Sequence, residues 1–233
     1  MPRRRLQPLR GLDVTDHAPA FDAVGTAHDH FGRLDVVVNN AGYGLLGMIE
    51  EVGEQQARAQ IETDLFGALW VTQAALPYLR DQGSGHIIQV SSIGGITVFP
   101  SAGLYNASKW ALEGLSQALA QEVAAFGIKL TLIEPDGYET DYFGSSAVRA
   151  SPLSAYDSVR QCTADQLAPR MASLGKPEAT REAILKVVDA REPPLRIFFG
   201  DRALATVTAD YQSRLGTWRE WEPVSIAAQG RAA

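Results

Sequence analysis

Apolar positions along this chain fall into two alternating rhythms. Continuous apolar runs occur at 34–40 ("LDVVVNN"), 86–92 ("HIIQVSS"), 128–135 ("IKLTLIEP") and 194–200 ("PLRIFFG"). Short β-branched runs of this kind predict strands buried on both faces. Between them, apolar residues recur every three or four positions. Ile61, Leu65, Leu69, Thr72 and Leu76 mark a long helix over about 54–80. Phe21, Val24 and Phe31 mark a weaker one over 19–31, with Asp16 placed to cap it. A helix over 103–125 stops at Gly127, and one over 177–190 opens on Pro177. A terminal helix covers about 201–215, before a tail bearing Trp218 and Trp221. The segment 6–14 ("LQPLRGLDV") predicts a short strand, although Pro8 suits only an edge or a strand start. Residues 136–176 lose periodicity and read as a mobile flap or a small helical insertion. Strand alternating with helix predicts an α/β fold: one domain over 1–233, a parallel sheet with helices on both faces.

Composition narrows the function. At 45% apolar, the 233 residues are enough for a sizeable core. The net charge of −6 and the lack of a long basic run argue against nucleic acid or a membrane surface as partner. No apolar run approaches the roughly 20 residues of a membrane span. The basic start "MPRRRLQPLRG" has no hydrophobic stretch behind it, so no secretory signal is predicted. Cys162 is the single cysteine, which suits a reducing, cytoplasmic setting and an ordinary free thiol. His28 and His30 sit two apart on a helix, which does not put them on one face, so no metal site is expected.

The chemistry gathers at strand ends. In parallel sheets, ligands collect beyond the carboxyl ends of the strands. Those ends here read "NNAGYG" (39–44), "SSIGG" (91–95) and "EPDG" (134–137). Ser92 leaves its strand just before a helix carrying Tyr105 and Lys109, which share a helical face four residues apart. A neighbouring ammonium favours a phenolate. At about 4 Å and an effective dielectric near 20, the attraction is on the order of 4 kcal/mol. Such a phenol can pass a proton to or from an alcohol or carbonyl oxygen, with Ser92 gripping the same oxygen. That suits hydride transfer with a nicotinamide. Taken singly, the Tyr–Lys pair also reads as a solvated helix pair, and the serine as a satisfied cap hydroxyl.

Taken together, these stretches resemble the short-chain dehydrogenase/reductase family, from about Leu12 to Gly200. "LDVTD" resembles its adenine-binding Asp-Val, and "NNAG" its strand-4 motif. "VSSIGG" and "YNASK" resemble the segments that carry its serine, tyrosine and lysine, and "EPDGYETD" resembles its Pro-Gly motif with a downstream threonine. The resemblance implies a Rossmann-like fold and an NAD- or NADP-dependent oxidoreductase acting on an alcohol or carbonyl. It implies that Ser92 orients the substrate oxygen and Tyr105 is the acid/base, while Lys109 binds the nicotinamide ribose and tunes the tyrosine. Asp13, Val14, Asn40, Ala41, Gly42, Pro135 and Thr140 fall on cofactor-binding positions. The family often forms homodimers or homotetramers through helices corresponding to 54–80 and 103–125.

Three departures stand out. The family opens with a strand, a G-x-x-x-G-x-G turn and a helix whose N-terminus takes the pyrophosphate. No such run occurs in this sequence, whose first strand resembles the family's third. The resemblance therefore implies a sheet truncated at its N-terminus, lacking strands 1 and 2, as a chain begun at an internal start would be. It also implies weakened cofactor binding and an exposed edge at "VVV" (36–38). "GYGLLG" does spell G-x-G-x-x-G behind a strand, but no helix opens at once, and it reads better as a tight turn. Asp64 stands where the family usually has a water-holding asparagine; pairing with Lys109, it adds a negative charge that opposes the phenolate. Asp136 replaces a glycine, and either strains the turn and repels a phosphate or turns to solvent. Two functions follow: an impaired oxidoreductase, or a catalytically inactive chain that serves as a dimerisation partner.

Overall fold

A computed structural model describes residues 11–230. Four parallel strands form the main sheet: β1 (Val36–Asn39), β3 (Gly85–Val90), β4 (Ile128–Pro135) and β6 (Arg196–Phe199), in spatial order β1-β3-β4-β6. Val37 pairs with Ile87, Ile87 with Leu130, and Ile133 with Ile197. Side chains alternate across a pleated strand. Accordingly, Ile87, Leu130 and Leu132 point to one face, where they pack with Ala75, Leu79, Leu119 and Val123. Those partners come from α3 (Ala68–Gln82) and α4 (Gly103–Val123). Ile88, Ile133 and Phe199 point to the other face, against Ala183, Ile184 and Val188 of α6 (Thr180–Asp189). This is the expected Rossmann-like, doubly wound arrangement on a small sheet.

The helices expected from periodicity form. The stretch 54–80 becomes α2 (Glu54–Ile61), a π-helical segment Glu62–Gly67 and α3. The helix α1 (His17–Phe31) starts after Asp16, whose side chain makes no capping bond, and ends at Gly32 in the left-handed region. After α4, a 3-10 turn closes at Gly127, also left-handed with φ 69°. The terminal helix runs further than its periodicity indicates, as α7 (Ala203–Glu220) followed by α8 (Glu222–Ala227). Trp218 and Trp221 are exposed on this helical tail. His28 stacks on Tyr78, and the Cys162 thiol is free and exposed.

Two expectations need correction. The first is the strand over 6–14. Residues 6–10 lie outside the described residues, and residues 11–14 carry no strand. Asp13 instead accepts hydrogen bonds from the Thr15 amide and hydroxyl in a local turn, and among the described residues no strand pairs with this segment. The second is burial of β1 on both faces. Val37 packs into the core, but Val38 is 50% exposed and Val36 36%. Among the described residues β1 pairs only with β3, so it forms an edge of the sheet, as the truncated sheet implies.

The aperiodic segment is folded. Val148–Arg149 (β5) pairs in parallel with Leu45–Leu46 (β2), and α5 spans Asp157–Met171. Glu51, its side chain buried, takes bonds from the Leu153 amide and the Arg160 guanidinium. These contacts hold its carboxyl down at about 2.

Candidate active site

The carboxyl ends of β1, β3 and β4 open into one cleft of about 1090 Å³. Ser92 follows β3 in extended conformation, and its Oγ accepts from the Gly94 amide at 3.0 Å. This bond starts the turn Ile93–Gly95. A methyl group on Gly94 would lie 2.9 Å from Asn106 Oδ1, and 3.4 Å from both Ser92 Oγ and Tyr105 Cε1. The serine oxygen and the tyrosine ring edge are therefore separated by at most twice that last distance. Tyr105 sits in the first turn of α4. One turn later, Lys109 is 5% exposed, with Nζ 5.8 Å from the Tyr105 ring centre.

Lys109 Nζ donates to Val90 O at 3.2 Å and lies 3.5 Å from Asp64 Oδ2. Asp64 is fully buried in the π-helical segment. Its Oδ1 accepts from the Tyr43 amide at 3.1 Å, tying the β1 exit turn to the helix. Burial pushes the Asp64 carboxyl above its ordinary range, against the pull of Lys109. A methyl on Gly42 would stand 3.2 Å from Asp64 Oδ1 and 3.3 Å from Lys109 Nζ, so the glycine lets the turn close over the ion pair. Insertions of π-helix often mark functional sites, and here one aims a carboxylate at the lysine. Apolar spacing alone did not reveal it.

Asn40, Gly42, Ser92, Tyr105, Lys109, Pro135 and Thr140 all line the cleft. Ala41 lies in the turn between Asn40 and Gly42. The neighbouring Asn39 is structural; its amide donates to Thr72 Oγ1 at 3.0 Å. Asp13 and Val14 are not among the cleft walls. Val14 packs against the π-helical segment, where a methyl on Gly67 would come within 2.5 Å of its Cγ2. The "GYGLLG" turn runs into β2 rather than a helix. Gly44 admits the ring of Tyr142, and Gly47 admits Ala150, each from the flap.

Tyr142 and Glu134 carried no sequence signal, and Asp136 had two readings. Tyr142 stands edge-on to Tyr105, with ring centres 5.1 Å apart. Burial first, then the proximity of Tyr105, raise its phenol well above the ordinary range. Asp136 does not turn to solvent; its side chain is 7% exposed, beside Arg170 Nη1 at 3.4 Å and Arg202 Nε at 3.6 Å. Arg170 also donates to Thr206 and lies over the Phe99 ring, so Asp136 pins α5 to the core. Behind the cleft, Glu134 of β4 is fully buried and next to Glu113 of α4. Arg196 Nε approaches the two carboxylates at 3.5 Å and 2.9 Å. Burial first, and the Glu113 charge second, push Glu134 up to about 8.

The donor set fits half of a dinucleotide. An ammonium has three N–H donors. Val90 O and Asp64 occupy two directions, and the third is available to a ribose hydroxyl in the cleft that Lys109 lines. The sequence has no G-x-x-x-G-x-G run to cradle a pyrophosphate. Among the described residues, no cluster of His, Cys, Asp and Glu could hold a metal, and no helix is long and apolar enough to cross a membrane.

The family profile of short chain dehydrogenases matches residues 7–149. Oxidoreductase BOA17 of Botryotinia fuckeliana is 39% identical over 227 residues, covering 97% of this chain and 82% of the relative. A crystal structure of a short-chain dehydrogenase from Streptomyces avermitilis superposes with a TM-score of 0.83 at 35% identity, covering 94% of this chain and 79% of that one. ElxO with NADP bound gives a TM-score of 0.68 at 26% identity, covering 83% and 77%.

Proposed function

This chain belongs to the short-chain dehydrogenase family of NAD(P)-dependent oxidoreductases, and from that premise we propose that it interconverts a secondary alcohol and a carbonyl with a largely apolar body. One observation carries the reading: Ser92, Tyr105 and Lys109 leave two different elements and line the same cleft. A bound nicotinamide would supply or accept the hydride. Tyr105 gives a proton to the carbonyl oxygen, or takes it from the alcohol. The Ser92 hydroxyl, anchored by Gly94, holds that oxygen in place. Lys109, one helical turn from Tyr105, turns its remaining N–H toward the ribose.

Asp64 sets the pace in this scheme. Its carboxylate keeps Lys109 charged and fixed but offsets part of the positive field at Tyr105. Asn40 and Thr140 stand where they would meet the cofactor, and NADP is the form bound by ElxO.

Titration of the purified chain with NADPH and NADH, followed by fluorescence, tests the cofactor half. Turnover of aryl and alkyl ketones tests the rest. Tyr105→Phe should cut kcat at least a hundredfold while leaving nucleotide affinity within a few-fold, because general acid–base catalysis contributes about 10²–10⁴. Turnover that survives Tyr105→Phe would refute the assignment. Nucleotide affinity that is absent would favour the catalytically inactive alternative.

A further inference from the structure

Among the described residues, the cleft wall carries more cations than carboxylates. Lys109, Arg149, Arg160 and Arg170 line it, against Asp136 and Asp141, in a chain whose net charge is −6. From behind the wall, Asp64 pairs with Lys109 and Glu51 with Arg160. Arg170 has no described carboxylate to itself. It shares Asp136 with Arg202, whose other acidic neighbour, Asp201, is 94% exposed. An exposed pair of that kind contributes little. Two guanidiniums around one buried carboxylate leave positive charge in excess.

Arg170 is the cation of that cluster that reaches the cleft. Its side chain is 23% exposed, and its Cζ lies 5.1 Å from the Phe99 ring centre. A guanidinium holds five N–H donors in a rigid fork. Nη2 gives one to Thr206 Oγ1 at 2.6 Å. Nη1 gives one to Asp136 Oδ1 at 3.4 Å, which is long for a charge-assisted bond. The other donors are available to an oxyanion. Phe99 ties this point to the reacting centre: its carbonyl accepts from Asn106 Nδ2 at 3.0 Å, and Asn106 follows Tyr105 in α4. From α5, Leu167 and Met171 line the same cleft and give it an apolar wall.

We propose that Arg170 is a specificity-determining residue that binds a carboxylate at the end of the substrate away from its reacting carbonyl. The substrate class is then a keto acid, or the matching hydroxy acid, with an apolar spacer. The inference rests on the oxidoreductase reading of the site and adds a substrate class to it. The incoming carboxylate supplies the second anion that the cluster lacks. Arg202 keeps Asp136, and the Phe99 ring supports the guanidinium from one face. A phosphate of the nucleotide is the other anion that enters such a cleft, and the test separates the two.

The probes are 4-acetylbenzoate and 3-(4-acetylphenyl)propanoate. Each is compared with its uncharged primary amide by calorimetry on the nucleotide-free protein. At least one acid should bind about tenfold or more tightly than its amide, because a charge-assisted pair replaces a neutral contact. Arg170→Gln should bring that ratio below about threefold, and Arg170→Lys should restore part of it. An arginine with a merely structural role would change acid and amide alike. Equal affinity of acids and amides in the unmodified protein would overturn the proposal, as would a ratio that survives Arg170→Gln. So would an NADPH affinity that falls with Arg170→Gln as far as the acid's does, since the arginine would then serve a cofactor phosphate. If Arg170→Gln does not fold, Asp136→Asn removes the competing anion and should raise the acid-over-amide ratio severalfold; no rise refutes the proposal. If neither variant folds, the cluster is structural and the proposal fails. Ketone turnover that fails with every probe would count against the oxidoreductase reading while the acid-over-amide ratio still stood, so the two failures can be told apart.

Discussion

Glu134→Gln isolates the buried carboxyl pair behind the active site. Glu134 is fully buried, faces Glu113 and Arg196, and its carboxyl is pushed up to about 8 from an ordinary 4.5. The sign follows from proton counting. Between those values the unfolded chain has released the proton that the folded protein still holds, so stability falls as pH rises. The stabilisation is complete below 4.5 and gone above about 8. At about 1.4 kcal/mol per pH unit, the full window corresponds to roughly 5 kcal/mol. Glu113 competes for the same proton and Arg196 stabilises the ionised form, so a realistic range is about 2–5 kcal/mol. Glutamine keeps the shape of the protonated acid without its titration. Urea unfolding at pH 5 and pH 9 should therefore show the unmodified protein losing about 2–4 kcal/mol relative to Glu134→Gln. Parallel stabilities across that range, within about 0.5 kcal/mol, would refute a shared, buried proton.

Three other substitutions probe the site from different sides. Asp64→Asn removes the anion 3.5 Å from Lys109 and should raise kcat roughly three- to tenfold near pH 7; an unchanged or lower kcat would argue against a field effect on Tyr105. Gly94→Ala places a methyl 2.9 Å from Asn106 Oδ1 and against Ser92 and Tyr105. It should cost about 1–3 kcal/mol of stability and at least tenfold in kcat, read by thermal unfolding and steady-state kinetics. Asp136→Asn leaves Arg170 and Arg202 without their shared buried partner. A loss of about 2–3 kcal/mol is expected, with faster hydrogen exchange over α5 than over β3.

Much of this protein is legible from spacing. β3 and β4 could be read from continuous apolar runs because both of their faces meet helices. Tyr105 and Lys109 could be paired because four residues make one helical turn, and Ser92 because it ends a strand at the same edge. The misjudged elements share a cause. β1 is as apolar as its neighbours, yet Val36 and Val38 are open at the edge of the described sheet. The segment holding α5 stayed open between a flap and a helical insertion because Thr163 is the helix's one buried residue, which leaves no apolar period to detect. Asp136 read equally well as strained or solvated, since its two arginine partners lie 34 and 66 positions away in the chain.

The order of strands and helices and the spacing that puts Tyr105 and Lys109 on one helical face belong to the sequence alone, because each depends on neighbours within a few residues. The tertiary structure decided which carboxylates are buried, where the π-helical segment aims Asp64, and that Tyr142 covers Tyr105. Those outcomes depend on contacts between distant segments, whose distances and desolvation no local pattern encodes.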